Sequence, residues 1–364
     1  MKISIYVENA RLTPSAYYRL TQYFRRPEVR MHSSLTDSIY RLWHKLGCIG
    51  RRVFSVPLYM LYVITTLYFL LEDLVLMRNG VIIISRTVVP RYMPALHKFL
   101  LYRLAKNNKL IWDIDDNILA NRRISPSDFH FLSKYCHVIV VTNDFLKSLI
   151  EPEFASKARI LPTTDGDMQG YDTATLIQQR KKLYPKEIRL VWVATDSGLL
   201  YLKLIVPLLD KAAKALKEKH GKKLILHVVC NKPLQAETSH LEIANVLWGR
   251  EIAKDEIINA HIGLMPLPDT EFTRGKGGFK LVQYMSTAMP VIASSVGFNK
   301  QIVTKDFGYL IEEGNTKLTW EYAILELSSD WERYARMSEC AKVCYDNGFS
   351  FNRNKLFWEN LVKH

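Results

Sequence analysis

The amino-acid sequence reads as an α/β protein made of two doubly wound parallel-sheet domains, and three observations lead there. Short, β-branched apolar runs recur along the chain, each is separated from the next by enough residues for a helix, and the pattern breaks once, across a polar stretch at 165–187. Runs that are continuously apolar, rather than alternating, suit strands covered on both faces, as in a parallel sheet between two helix layers. A single break divides the 364 residues into two domains of ordinary size.

The first series reads KISIYVE (2–8), EVRMHSS (28–34), GVIIISR (80–86), LIWDID (110–115), VIVVTN (138–143) and ARILPT (158–163), so the first domain is expected over 1–170. Between its second and third runs lies VFSVPLYMLYVITTLYFLL (53–71), 19 residues without a charge and long enough to span a bilayer. A span there would separate neighbouring strands of one sheet, because a crossover helix packs back on its own sheet. Residues 38–77 are therefore expected to be helical crossover material with surplus apolar surface. The basic residues ahead of and within it (Arg25, Arg26, Arg30, Arg41, Lys45, Arg51 and Arg52) fit attachment to one anionic leaflet without crossing it. A hairpin buried within the domain is the alternative.

The polar stretch carries no strand, and 171–187 is expected to link the domains. The second series reads IRLVWVA (188–194), KLILHVVCN (223–231), HIGLMPL (261–267), PVIASS (290–295) and GYLIEEG (308–314), giving a second domain over 188–348. The closing FSFNRNKLFWENLVKH (349–364) reads as an aromatic amphipathic helix. No self-similarity of solenoid period is present.

With 50 Lys and Arg against 36 Asp and Glu, the formal charge of +14 points to an anionic partner. The charge tilts toward residues 1–170, which carry 23 basic and 14 acidic side chains, or +9. Spread without a recognition motif, it argues against a nucleic-acid binder. The five cysteines are odd in number and scattered, which fits reduced thiols in the cytoplasm. Cys340 and Cys344 have no second ligand pair nearby in sequence, and the ten histidines form no spaced set, so no metal site is expected. MKISIYVENARL at the start is a strand rather than a signal peptide.

In doubly wound sheets ligands sit beyond the carboxyl ends of the strands. There the first half offers RLTPSAYYR (11–19), Arg86, and the WDIDDN aspartates Asp113, Asp115 and Asp116. Carboxylates beside arginines orient hydroxyls or take a proton, although a helix cap uses the same residues. The second half offers Thr195, Asp196, Ser197 and Gly198 between a strand and a helix, where free amides favour an anion. It also offers EFTRGKGGFK, with Arg274, Lys276 and Lys280 around Gly275, Gly277 and Gly278 before a helix that starts near Phe279. Glycines let backbone approach a diphosphate and the cations neutralise it. Neither the dinucleotide fingerprint nor the Gly-Lys-Ser/Thr phosphate loop occurs.

Residues 258–303 (INAHIGLMPLPDTEFTRGKGGFKLVQYMSTAMPVIASSVGFNKQIV), with KLIWDIDDNI in the first half and RLVWVATDSGLLYL opening the second, resemble the retaining GT-B glycosyltransferases of sequence family 4, in particular their bacterial polysaccharide branch. The resemblance runs in order along nearly the whole chain. It implies two Rossmann-like domains facing a cleft, a final helix crossing back to the first domain, and transfer with retention from a UDP- or GDP-linked sugar without metal or other cofactor. The second domain would hold the donor through Thr195, Asp196, Ser197, Asn231, Trp248, Arg274, Lys276, Gly277, Gly278, Phe279, Lys280 and Gln283, with Lys232 and Leu247 also near the base. Gln283 stands where the family has a ribose-binding Glu, and Gly275 where it has a second Glu that touches the donor sugar.

The resemblance also implies a front-face substitution in which Lys276, Lys280 and helix amides stabilise the leaving diphosphate. Asp115 or Asp116 would polarise the acceptor hydroxyl, and Arg19, Arg86 and Asp113 would bind the acceptor, the arginines meeting its phosphate. That acceptor would be a saccharide, free or linked to polyprenyl pyrophosphate, in the synthesis of lipopolysaccharide, capsule or exopolysaccharide at the inner face of the cytoplasmic membrane. Two other readings compete. The loss of Glu at Gly275 allows a sugar-nucleotide sensor without turnover, and sugar-nucleotide 2-epimerases share a related fold.

Overall fold

A computed structural model describes residues 2–363; Met1 and His364, at the ends of the expected first domain and last helix, lie outside the described residues. By contacts the chain forms two units. One comprises Met1–Thr163, Gly275–Gly277 and Lys355–His364, the other Thr164–Arg274 and Gly278–Asn354.

The first unit begins with β1 (Ile3–Val7), α1 (Pro14–Ala16) running into a π-helical turn at Tyr17–Thr21, and β2 (Val29–Ser33). It continues with α2 (Asp37–Lys45), α3 (Cys48–Val53), α4 (Ser55–Leu76), β3 (Val81–Ser85), α5 (Ala95–Asn107), β4 (Lys109–Ile114), α6 (Pro126–Tyr135), β5 (Val138–Val141), α7 (Asp144–Ser148) and β6 (Ala158–Ile160). Its sheet is ordered β2-β1-β3-β4-β5-β6 and all its pairings are parallel, with Ile3 opposite Val81 and Ile83 opposite Ile111. Each expected strand run forms a strand, with its ends shifted or shortened by up to three residues. β1 and β3 are buried throughout, which is why their sequences are continuously apolar rather than alternating.

The expected helical region at 38–77 forms α2, α3 and α4. Pro57 does not interrupt α4, because it falls in the first turn, where a backbone N–H has no partner to lose. The inner side of α4 is a stripe of Tyr62, Thr66, Leu70 and Asp73 at helical spacing, all buried. Asp73 receives hydrogen bonds from Ser4 Oγ (2.5 Å) and Tyr6 Oη (2.7 Å) on β1 and from an Arg30 nitrogen (3.3 Å) on β2, which ties the helix to the sheet.

The second unit contains α8 (Thr173–Leu183), β7 (Glu187–Val193), α9 (Leu199–His220), β8 (Lys223–Cys230), β9 (Glu242–Leu247), α10 (Arg250–Asn259), β10 (Ile262–Met265), α11 (Glu271–Arg274) and α12 (Phe279–Ser286). β11 (Val291–Ser294), α13 (Asn299–Ile302), β12 (Gly308–Ile311), α14 (Trp320–Ser329), α15 (Trp331–Gly348) and α16 (Phe351–Lys363) complete the chain. The sheet order is β12-β11-β10-β7-β8-β9, again parallel throughout.

β9 is absent from the sequence expectation. It is an edge strand, EIANVL, with intermediate and exposed positions, so it lacks the apolar run that marks its neighbours. The stretch expected as a linker carries α8, whose Leu176 and Arg180 are buried in the second unit. Apolar clusters cover both faces of this sheet. α12 reaches β10 closely because Gly263 has no Cβ; one built there would lie 2.2 Å from the Tyr284 ring.

Residues 355–363 of α16 pack in the first unit. Buried Trp358 meets Phe24 edge-on at 5.7 Å, and Lys109 Nζ donates to the Leu361 carbonyl at 2.8 Å.

Candidate active site

In the first unit the carboxyl end of β4 delivers three aspartates, and the surrounding backbone gives each a different partner. Arg19, on the π-helical turn, places its guanidinium against the Asp113 carboxylate, with Nε 3.1 Å and Nη2 2.5 Å from Oδ1. It also donates to the Leu161 carbonyl. Both side chains are about 1% exposed. Burial lifts the Asp113 carboxyl above the usual carboxylate value, opposed by this guanidinium, which is itself held charged. Arg19 and Asp113, expected at the acceptor, thus bind each other and fasten the turn to β4.

Arg86 adopts a left-handed conformation (φ 61°), unusual for a side chain of its size. That turn aims its guanidinium at Asp115, Nε to Oδ1 at 2.5 Å and Nη2 to Oδ2 at 2.8 Å. Burial would raise the Asp115 pKa, yet Arg86 brings it below the usual carboxylate value. Asp116 has no such fork. It accepts the Asn117 backbone N–H at 3.1 Å and stands 3.7 Å from Lys276 Nζ, within the same contact unit. Burial, opposed by Lys276, leaves its pKa raised. Of the two aspartates named as alternatives, Asp116 is therefore the better proton acceptor and Asp115 the better-held anion.

The tripeptide Gly275–Gly277 is fixed in the first unit by Asn143, whose Nδ2 donates to the Gly275 carbonyl at 3.3 Å and the Lys276 carbonyl at 3.2 Å. A Cβ on Gly275 would come 2.8 Å from Asn117 Cβ, so a side chain at this position has no room.

In the second unit Gly278, at φ 62°, caps α12 without a side-chain acceptor for the first amides. Just inside the helix, Lys280 Nζ donates to Gln283 Oε1 at 3.0 Å and Gln283 Nε2 donates to Asp165 Oδ2 at 2.7 Å. Burial pushes Lys280 down to about 8 although Asp165 pulls the other way, and burial raises Asp165. Gln283 is buried, with both ends of its amide used in this chain of bonds.

Phe279 heads α12 beside Gly278. Arg274 is exposed and forked onto Asp269 at 2.6 and 3.1 Å, while Thr273 braces the preceding loop through bonds to Pro268 and Thr270.

The carboxyl ends of β7 and β8 bring the other expected donor residues together. Thr195 Oγ1 and Ser197 Oγ are 2.9 Å apart, the Asp196 backbone N–H donates to Asn231 Oδ1 at 2.8 Å, and Lys232 Nζ meets the Asp196 carboxylate at 2.7 Å. Trp248 follows β9, its backbone bonded to the Cys230 carbonyl and its ring 42% exposed; Leu247 is exposed beside it. Sequence reasoning missed Asp165, Asn117 and Asn143. Asp165 lay in the polar stretch where the strand pattern breaks, and the roles of the two asparagines depend on where the glycine loop runs. Among the described residues, no group of three His, Cys, Asp or Glu has a metal-binding arrangement.

Residues 201–343 match the family described as glycosyl transferases group 1. No curated protein matches the sequence. Among solved structures, the chain is similar to Anabaena HepE in complex with UDP and glucose, with a TM-score of 0.64, 12% identity and both chains covered completely. A glycosyltransferase from Rickettsia africae gives 0.62 at 12% identity, covering 100% of this chain and 98% of that one. Sucrose-phosphate synthase from Thermosynechococcus elongatus gives 0.57 at 13%, covering 88% and 80%. The two parallel six-stranded sheets and these likenesses make the fold GT-B. The chain carries a glycosyl transferases group 1 domain within that fold and is a glycosyltransferase.

Proposed function

We propose that this enzyme transfers a sugar, with retention, from a UDP-sugar to a saccharide borne on polyprenyl pyrophosphate, as a step in building a bacterial surface polysaccharide at the inner face of the cytoplasmic membrane. The observation that carries the reading is the Lys280–Gln283–Asp165 chain under the uncapped start of α12. A helix start without a side-chain cap and a desolvated lysine form a seat for a diphosphate. Uridine is favoured over guanosine by the likeness to HepE, a structure of which holds UDP-glucose.

The chemistry follows from charges. As the glycosidic bond to phosphate breaks, negative charge grows on the diphosphate. Lys280 and the amides of α12 stabilise it most at that moment. Asp116, which no arginine forks and whose pKa burial raises, receives or orients the acceptor hydroxyl proton. Asp115 and Arg86 form a fixed dipole beside it, and Arg19 with Asp113 positions the β4 end on which both aspartates ride. Two arginines neutralised by aspartates favour hydroxyl recognition here over phosphate recognition, so the acceptor pyrophosphate is met elsewhere.

The test is a thermal-shift screen of UDP, GDP and their sugars on wild type and Lys280→Ala, followed by product analysis of the transferred linkage. Selective stabilisation by UDP that the variant loses, together with an α-linked product from an α-linked donor, supports the reading. Binding of donor without transfer to any lipid-linked acceptor would favour the sensor.

A further inference from the structure

α4 is apolar on both sides. Its inner stripe is buried in the first unit, but Val56, Met60, Ile64, Tyr68, Leu71 and Val75 form a second stripe at three- and four-residue spacing on the outer side; Val56, Ile64 and Val75 are 67, 61 and 77% exposed. On α5, which packs beside α4, Leu96 and Phe99 are likewise 51 and 54% exposed. A helix with apolar residues on both sides has its outer face covered by something other than water.

We infer that the outer face of α4 and α5 docks the enzyme onto an anionic lipid bilayer, with α4 lying in the plane of the interface. Length and composition alone would let its 22 residues, about 33 Å of helix, cross a membrane. The inner stripe forbids that. Asp73 is fully buried and bonded to Ser4, Tyr6 and Arg30, and Thr66 Oγ1 lies 3.0 Å from His97 Nε2 of α5. Crossing would break each of these bonds and leave an aspartate in hydrocarbon.

Charge selects the occupant. Arg41, Lys45, Arg51 and Arg52 are exposed in α2 and α3, and Arg103 and Lys106 are exposed on the later turns of α5. The carboxylates between 37 and 78 are Asp37, Glu72 and Asp73. Each is engaged, Asp37 by Arg11 and Asn9, Glu72 by Arg30 and Asp73 as above. An apolar face with a basic border suits an anionic leaflet, where each surface cation adds to the attraction. As a crossover helix α4 starts on the side where β2 ends, so the α2–α3 cations lie toward the sheet edge that carries Asp116. The inference deepens the proposed lipid-borne acceptor, but its test needs no substrate, so the two can fail separately.

The full-length chain is sedimented with vesicles of phosphatidylcholine, with and without phosphatidylglycerol. Wild type should pellet with the mixed vesicles, bind phosphatidylcholine far less, and be released by alkaline carbonate. Ile64→Glu/Tyr68→Glu, both exposed, should bind at least about tenfold more weakly with unchanged melting temperature and UDP shift. If that variant folds poorly, Arg41→Ser/Arg52→Ser should lose most of the preference for the anionic lipid. Equal binding by wild type and folded variants overturns the inference. So does resistance to carbonate, which means a span, or a lipid-free dimer that the glutamates dissociate, which means a self-interface.

Discussion

Lys280 gives the proposed donor site a pH signature. Burial holds its pKa at about 8, and a diphosphate bound as proposed would restore the charged form, so donor binding would take up a proton above that pH. The UDP dissociation constant should rise roughly tenfold per pH unit above about 8, with proton uptake measurable by calorimetry in two buffers. The sign for stability is the reverse of the usual lysine case. With the folded pKa below the unfolded one, the ligand-free enzyme gains stability as pH rises from about 8 toward the ordinary lysine value. Lys280→Met should abolish that gain, lose UDP binding and not lower the melting temperature; a large fall in melting temperature would mean that the lysine is structural.

Asp116→Asn should lower kcat by about 100-fold or more with little change in UDP affinity, since it removes a proton acceptor that donor binding does not use. Asp115→Asn should instead also destabilise the protein by about 2 kcal/mol in urea titration, because Arg86 loses the partner of its fork. Wild-type kcat in Asp116→Asn would remove it from the chemistry. The sequence singles out WDIDDN, but the assignment of partners depends on the left-handed Arg86 and on the path of the turn carrying Arg19, neither of which has a local sequence signal.

At the scale of elements, two buried polar side chains fasten helices whose sequences give no hint of it. Asp73 holds α4. Burial would raise its pKa, but bonds from His32, Ser4 and Tyr6 bring it below the ordinary value. That stability is present above the unfolded carboxylate pKa and lost as pH falls through the folded one. Asp73→Asn should cost about 2 kcal/mol at neutral pH, and the difference from wild type should shrink in acid.

Arg180 does the same for α8, donating to the Thr287 and Ala288 carbonyls at 2.9 and 2.8 Å from a buried position. Arg180→Met should cost about 3 kcal/mol, because it leaves two buried carbonyls unpaired. A loss well under 1 kcal/mol in denaturant titration would show that water replaces the guanidinium. β9 went unread for the opposite reason, since a half-exposed edge strand needs no apolar run.

At the scale of the molecule, nucleotide binding should couple to folding. UDP at about 100 times its dissociation constant should add about 2.7 kcal/mol to unfolding, and GDP at the same concentration much less. Equal effects of the two would place selectivity in the sugar rather than the base.

Read alone, the order of amino acids was enough to specify the two parallel sheets, the glycine-lysine loop, the carboxylate cluster and the excess apolar helix. Each of these is a local pattern of period, composition or spacing, and such patterns are visible without coordinates. Packing settled the rest: which aspartate is tied to which arginine, that Gln283 completes its bonds through Asp165, that Gly275 is glycine because Asn117 occupies the space of a Cβ, and that α4 cannot leave its sheet. These depend on distances between residues far apart in the chain, and burial, which sets their charge states, exists only once the core has closed.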